Sequence, residues 1–210
     1  AEPTGGTQPA AAALLHLRCE LPAALRPLLA RWWEDFHFPE LLSLPGFLHA
    51  RRGELIAPDG CAPIVTMYGL TDPAAADQPR PAAFTLMPSE LDGRVTFQRR
   101  ILQRVSDPPV GIEPEGTAFL QLLRPSTEER DFRDAAGRLR QWRGILTTSC
   151  WRTVVNTPHT DRAEVVHLRD TDLIHAELTA TDSQAHELIA RCRAELPGWE
   201  ASVYRQASPR

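Results

Sequence analysis

The chain has 210 residues, 42% hydrophobic and 24% charged, with a formal net charge of -4 and a pI of about 6.0. That balance is ordinary for a globular protein and excludes a general nucleic-acid or anionic-membrane binder, which needs a strongly basic surface. All 23 basic residues are Arg, so Schiff-base chemistry, a lysine-held pyridoxal group and a phosphate-binding P-loop are excluded too.

No run approaches the roughly 18 apolar residues of a spanning helix, so no membrane partner and a cytoplasmic location are expected. The opening AEPTGGTQPAAAA lacks an initiator Met, which leaves a trimmed chain and a cleaved leader both open. Cys19, Cys61, Cys150 and Cys192 lie far apart with no C-x-x-C pair, and read as buried free thiols rather than zinc ligands or a redox pair.

In chain order, residues 1–11 read as a disordered tail, 12–106 as a first unit, 107–116 as a Pro- and Gly-rich linker and 117–206 as a second unit. The first unit starts with a strand around His16–Cys19. Leu25, Leu28, Leu29, Trp32, Trp33 and Phe36 then recur at helical spacing, and Pro39 ends that helix or starts a further short turn. Pro45 and Gly46 mark a turn into a strand over Phe47–Leu55, and PDGCAP leads to another over Ile64–Leu70. A short helix around Ala82–Leu91 and a fourth strand over Val95–Val105 complete the unit. The second unit repeats the order: a strand at Thr117–Leu123, a helix over Thr127–Trp142, a strand in WRGILTTSCWRTVV, a strand at Leu173–Thr179, a helix over Ser183–Leu196 and a strand at Trp199–Tyr204.

Both units thus read β-α-β-β-α-β, the ferredoxin-like α+β arrangement, in which helices cover one face of an antiparallel sheet and the other face needs cover. Two tandem copies would cover each other. The stretch Trp32–Arg52, WWEDFHFPELLSLPGFLHARR, resembles the EthD-like members of the dimeric α/β-barrel superfamily. The resemblance implies an intrachain dimeric α/β-barrel, so a monomer acting as a pseudo-dimer or a homodimer, that holds a small-molecule ligand. It further implies a histidine at the helix end that faces the cavity, which here is His37.

On residues alone, His37 supports two readings. It is an acid/base group near the core, or a cap on helix C-terminal carbonyls, where a cation is favoured by the helix dipole. A gap-free alignment through Gly46 and Gly144 places Ala135 where the first unit has His37, which favours a single working pocket. Strand parity with Leu48 and Ala50 under the helices sends Phe47, His49 and Arg51 inward, with Tyr68 as a phenol donor and Trp33 as an aromatic wall. Glu34 and Asp35 belong on the outer helix face. His159, His167 and His175 recur eight apart, which is no metal-ligand spacing.

The expected function is a cofactor-independent enzyme of cyclase, lyase or monooxygenase type, acting on an aromatic or polyketide-like substrate with His37 as acid or base. No cofactor and no metal are expected. The alternatives are a non-catalytic ligand-binding or interaction protein of the same fold, and a haem-binding relative using His167 or His175.

Overall fold

The computed structural model describes residues 10–56, 63–107, 116–125, 129–154, 165–167 and 171–207, with backbone alone at 165–167. Most of the expected tail and linker, Cys61, His159 and the side chain of His167 lie outside the described residues. The strands are β1 (Ala13–Glu20), β2 (Phe47–Leu55), β3 (Ile64–Leu70), β4 (Thr96–Arg104), β5 (Ala118–Pro125), β6 (Ile145–Thr153), β7 (Val165–His167), β8 (Thr171–Leu178) and β9 (Glu200–Ala207). Among the described residues three helices accompany them. α1 covers 26–42, joining Arg26–Trp32, a π-helical stretch Trp33–His37 and Phe38–Leu42; α2 is Glu129–Arg140 and α3 is Asp182–Glu195.

Hydrogen bonding runs β1-β3-β2-β9-β5-β8-β6-β4 and returns to β1, which closes an eight-stranded antiparallel barrel. β7 lies parallel to the first residues of β4. Each half has the order fourth, first, third, second: β4-β1-β3-β2 and β9-β5-β8-β6. Short seams join them, from Arg52↔Ala207 to Leu55↔Tyr204 on one side and from Leu102↔Thr153 to Arg104↔Trp151 on the other. Closure pairs the strand edges that an open sheet would leave exposed. No helix among the described residues is long and apolar enough to cross a membrane.

Alternation along the strands then sorts the side chains into two layers. Outward, Ala13, Leu15, Cys19, Ile64, Tyr68 and Ile101 pack with Leu29, Trp33, Phe38 and Leu41 of α1. Leu120, Leu122, Ile174 and Val203 do the same with Phe132 and Leu139 of α2 and Ala185 and Cys192 of α3. Inward, Leu14, Leu102, Trp151 and Leu173 meet at one level, and Val65, Met67, Phe119 and Tyr204 at another. Cys19, Cys150 and Cys192 are buried free thiols.

The expected helix around Ala82–Leu91 does not form. Only 3-10 turns, Pro73–Asp77 and Ser89–Leu91, stand there, because Pro73, Pro79, Pro81 and Pro88 remove the donors a helix requires. The first half is therefore not β-α-β-β-α-β, and the described residues form three helices where four were predicted. The strand parity also needs correction at two residues. A bulge between Phe47 and His49 puts Phe47 in the helix layer and Leu48 inside, since one extra residue reverses the facing of its predecessors along the strand. Beyond the bulge Ala50 sits under α1 as expected, and His49 and Arg51 face the barrel interior.

β6 carries a matching bulge between Ile145 and Thr147, and Gly46 and Gly144 precede the two bulged strands with φ of 86° and 92°. Side-chain-bearing residues avoid that region, which is why glycine serves both turns. Gly69 is needed for a different reason, since a Cβ there would stand 2.1 Å from the His49 ring that lies across it. Gly69→Ala should cost about 1–3 kcal/mol in urea unfolding through overpacking. Adding His49→Ala should recover most of that loss.

Candidate functional site

α1 does not run as a regular helix, and Pro39 is the reason. Proline has no N–H for the Asp35 carbonyl and its ring clashes there, so the helix widens and the Phe38 N–H bonds to the Trp33 oxygen, five residues back. Such π turns recur at functional sites. On a regular α-helix Trp32 and His37 would stand roughly 140° apart. Here their rings stack at 4.4 Å with an interplanar angle of 22°. The same widening turns Phe36 outward, where it is 45% exposed, although spacing alone placed it on the buried face.

His37 is therefore a mid-helix residue, with α1 continuing to Leu42, and the capping role is not realised. Its imidazole is 5% exposed and makes no hydrogen bond among the described residues. Burial, with the nearby Arg80 cation, lowers its pKa to about 3, so the ring is neutral and its lone pair uncommitted at ordinary pH.

His37, Trp32 and Trp33 wall a cavity of about 500 Å³, completed by Leu15, Leu17 and Phe97 of the sheet and by the segment 76–87. In the second half α3 packs over the sheet with Ala185 and Cys192; in the first half no helix occupies that place, and the space remains. The segment 76–87 is tied down on three sides. Gln78 Nε2 donates to the Pro45 oxygen at 2.7 Å, Thr85 donates through N and Oγ1 to Glu40 at 2.8 and 2.7 Å, and Arg99 donates to Ala76 O and Asp77 Oδ1 at 3.2 Å each.

The predicted site residues separate into two groups. Trp33, His37, Tyr68 and Phe47 share the helix layer; Tyr68 is fully buried, edge-on to His37 at 6.1 Å and to Phe47 at 5.9 Å. Burial drives the Tyr68 pKa well above its usual value, and its hydroxyl has no partner among the described residues. His49 and Arg51 lie on the opposite side of the sheet, inside the barrel. Arg51 forks onto Glu177, with Nη2 to Oε2 at 3.0 Å, and also donates to Gln206. His37 thus does not look into the barrel interior, and no chamber shared by all six residues exists. Arg52 pairs with Glu34 at 2.6 Å, which places Glu34 against β2 instead of on a free outer face.

Sequence reasoning missed the cavity wall at 76–87, where proline hid any period, and the interior polar residues His16, Arg100 and Gln121; His175 was singled out, but not as a member of that interior set. His16 was detectable, since parity with Leu14 sends it inward. His175 shares a hydrogen bond of 2.6 Å with Glu177. Burial alone would raise the Glu177 pKa, yet His175 and Arg51 hold it at about 2. His175 is thus committed inside the barrel, away from the cavity. Among the described residues no cluster of three or more His, Cys, Asp or Glu is placed to hold a metal ion.

No family model and no curated protein matches the chain. Among solved structures, one provisionally named a monooxygenase from Fusobacterium nucleatum subsp. nucleatum ATCC 25586 is similar with a TM-score of 0.54 and 10% identity, over 95% of this chain and 94% of that one. A second provisional monooxygenase, from Lactobacillus acidophilus NCFM, gives 0.50 and 10% over 94% and 95%. One provisionally named a chlorite dismutase gives 0.52 and 10% over 93% and 94%. At this identity the likeness is one of fold, the dimeric α/β-barrel type.

The buried histidines make a pH prediction. His16 is also lowered to about 3, chiefly by burial and then by Arg100. Between pH 3 and 6.5 the unfolded chain binds protons that both folded imidazoles refuse, so stability should be full above pH 6.5 and fall toward pH 3. Each should contribute a slope of roughly 1 kcal/mol per pH unit near pH 5. Urea unfolding between pH 4 and 7 should show His37→Phe reducing that slope by about half of the two-histidine effect.

Proposed function

We propose that the chain is a small-molecule-binding α/β-barrel protein, and an enzyme, whose site is the cavity between α1, the outer face of the first sheet and the segment 76–87. One observation carries this reading: a neutral imidazole, stacked on Trp32 and free of hydrogen bonds to the described residues, in the wall of an apolar cavity of about 500 Å³. Ligand sites have this character, with mostly apolar walls and a few polar groups that fix orientation. The aromatic walls of Trp32, Trp33, Phe84 and Phe97 suit an aromatic or polyketide-like substrate.

In that site His37 is the base: its nitrogen accepts a hydrogen bond from an acidic O–H or C–H of the substrate and then takes that proton, the imidazolium is held as an ion pair with the anion so formed, and the proton returns to the product as turnover closes. The positive field of Arg80, which disfavours imidazolium, favours the substrate anion that forms as the proton leaves. A reaction that begins with such an anion is a cyclisation, an elimination or an attack of the carbanion on oxygen, without a bound cofactor. Trp33 and Phe84 exclude water, while Tyr68 and Phe47 support His37 from behind. His49 and Arg51 take no part in this cavity.

The EthD-like assignment rests on Trp32–Arg52. The reading of the halves, 12–106 and 117–206, as tandem copies is supported by their common strand order, paired bulges and paired glycines. Ring closure within one chain is consistent with a monomeric pseudo-dimer. Buried free thiols suit the reducing cytoplasm.

A haem-binding reading has one observation in its favour, because an uncommitted neutral imidazole is also what an axial iron ligand must be. The fit is through His37, which borders the cavity; His175 lies on the other side of the sheet, inside the barrel. Bound there, haem would supply the redox chemistry, and the chain would supply the ligand and the apolar walls.

Calorimetric titration with 1-naphthol as probe should give one site per chain. His37→Ala should weaken it by about tenfold, the loss of roughly one hydrogen bond in a dry site. Equal affinity in both proteins would refute the assigned cavity. Reconstitution with haem decides the second reading, which requires a Soret band that His37→Ala abolishes.

A further inference from the structure

Inside the barrel, positive charge is present without a matching carboxylate. Arg100 of β4 is 6% exposed, and among the described residues its one hydrogen-bonding contact is Nη1 to His16 Nδ1 at 3.5 Å. Nothing about that contact neutralises a cation. His16 Nε2 bonds Gln121 Oε1 at 3.0 Å while Gln121 Nε2 donates to Met67 Sδ at 3.1 Å. The amide's oxygen is therefore the end facing the imidazole, Nε2 carries the proton, and Nδ1 is left as an acceptor for Arg100.

The nearest cation is Arg18 on β1, and it too is inward. Its Nη1 reaches Glu200 Oε1 at 2.9 Å, but that carboxylate is 62% exposed and sits at the barrel mouth. The Nε groups of both Arg18 and Arg100 are buried with no partner among the described residues. Tyr204, fully buried, has its pKa raised by burial and opposed by both Arg18 and Arg100, so the phenol stands near both guanidiniums. Glu177, the other interior carboxylate among the described residues, is committed to Arg51 and His175. The carboxylate that acts on Arg100 is the exposed Glu200, which Arg18 already engages, and not Glu177.

A guanidinium cannot shed its proton to escape this situation, as a lysine or histidine would. A buried cation lacking a counter-charge costs several kcal/mol, and unmet N–H donors add to that. Two guanidiniums that share one largely exposed carboxylate, with a phenol beside them, have the chemistry of an anion site.

We propose that the barrel interior is an anion-binding chamber, separate from the His37 cavity. A small anion, a halide or a compact oxyanion, sits against Arg100 with Arg18 and the Tyr204 hydroxyl beside it, and enters past the Arg18–Glu200 pair. Its role is to complete the interior electrostatically, so that folding and anion occupancy are linked.

The test is thermal unfolding of the full chain in sodium gluconate, a bulky anion that serves as the reference. Sodium chloride, formate or phosphate is titrated in at constant ionic strength. At ten times the half-saturating concentration the Tm should rise by about 3–5 °C, saturably, with at least one of the three. Which of the three acts identifies the anion as halide, carboxylate or phosphate. Arg100→Met should abolish that rise and should melt higher than the unsubstituted protein in gluconate, because the uncompensated charge is gone. A rise of equal size in both proteins, or none with any anion, overturns the proposal. Should Arg100→Met fail to fold, crystals of the unsubstituted protein soaked separately in bromide, bromoacetate and arsenate, heavy stand-ins for the three anions, decide it: an anomalous peak at Arg100 with any of them supports the chamber, and none with all three overturns it.

Discussion

Ring closure is the constraint on which the other features depend. Each half has a four-stranded sheet with two edges, and the β2–β9 and β4–β6 seams consume all four. Once the ring closes, every strand residue belongs either to a confined interior or to an outer layer that helices must cover. The interior cannot be apolar throughout, because side chains from eight strands converge there and several are His, Arg, Gln and Glu. Each of those requires a partner of its own, and the pairs Arg51–Glu177 and His16–Gln121 meet this requirement. The outer layer is free of that demand and is where an apolar cavity can persist.

That cavity exists because the two halves cover their sheets differently. α3 begins with a capping box at Thr181 and Gln184, a reciprocal arrangement that satisfies two otherwise unpaired N–H groups, and lays Ala185 and Cys192 on the sheet. The matching place in the first half begins with Asp72, which accepts from Ala74 N and Ala75 N at 2.8 and 3.2 Å. Prolines then stop the helix after one 3-10 turn. From Gln78 onward the chain spans the sheet as an extended strap fixed by side chains, and a strap fills less volume than a helix. The loss of one helix thus left the space that His37 borders.

The strand boundaries were legible to within about three residues because alternation and turn residues are local properties: β2 and β3 fall where the sequence put them. The α2 and α3 helices were legible for the same reason. What failed was non-local or finer than a period can register. A bulge adds one residue without changing composition, so Phe47 and Leu48 exchanged layers. The π turn at Trp33–His37 follows from Pro39, yet its effect, bringing together residues five apart, is invisible to a pattern that assumes 3.6 residues per turn. His37 does lie beside the aromatic face, as the pattern implied, while its surroundings differ from those expected. Trp33 and Tyr68 stayed with it; His49 and Arg51 did not, because layer membership is set by closure.

His16 and His37 show that the same titration behaviour accompanies two different surroundings. Both are held near pKa 3, chiefly by burial and with an arginine nearby. Both remain neutral across the range in which proteins normally operate. The difference lies in their nitrogens: His16 has committed both, to Gln121 and Arg100, whereas His37 offers its nitrogens to a cavity. A ring that stays neutral from about pH 4 upward is a steady hydrogen-bond acceptor and no pH switch. On the proposed function, any dependence of activity on pH near neutrality would originate in the substrate's own ionisation, since the resting imidazole does not change state there.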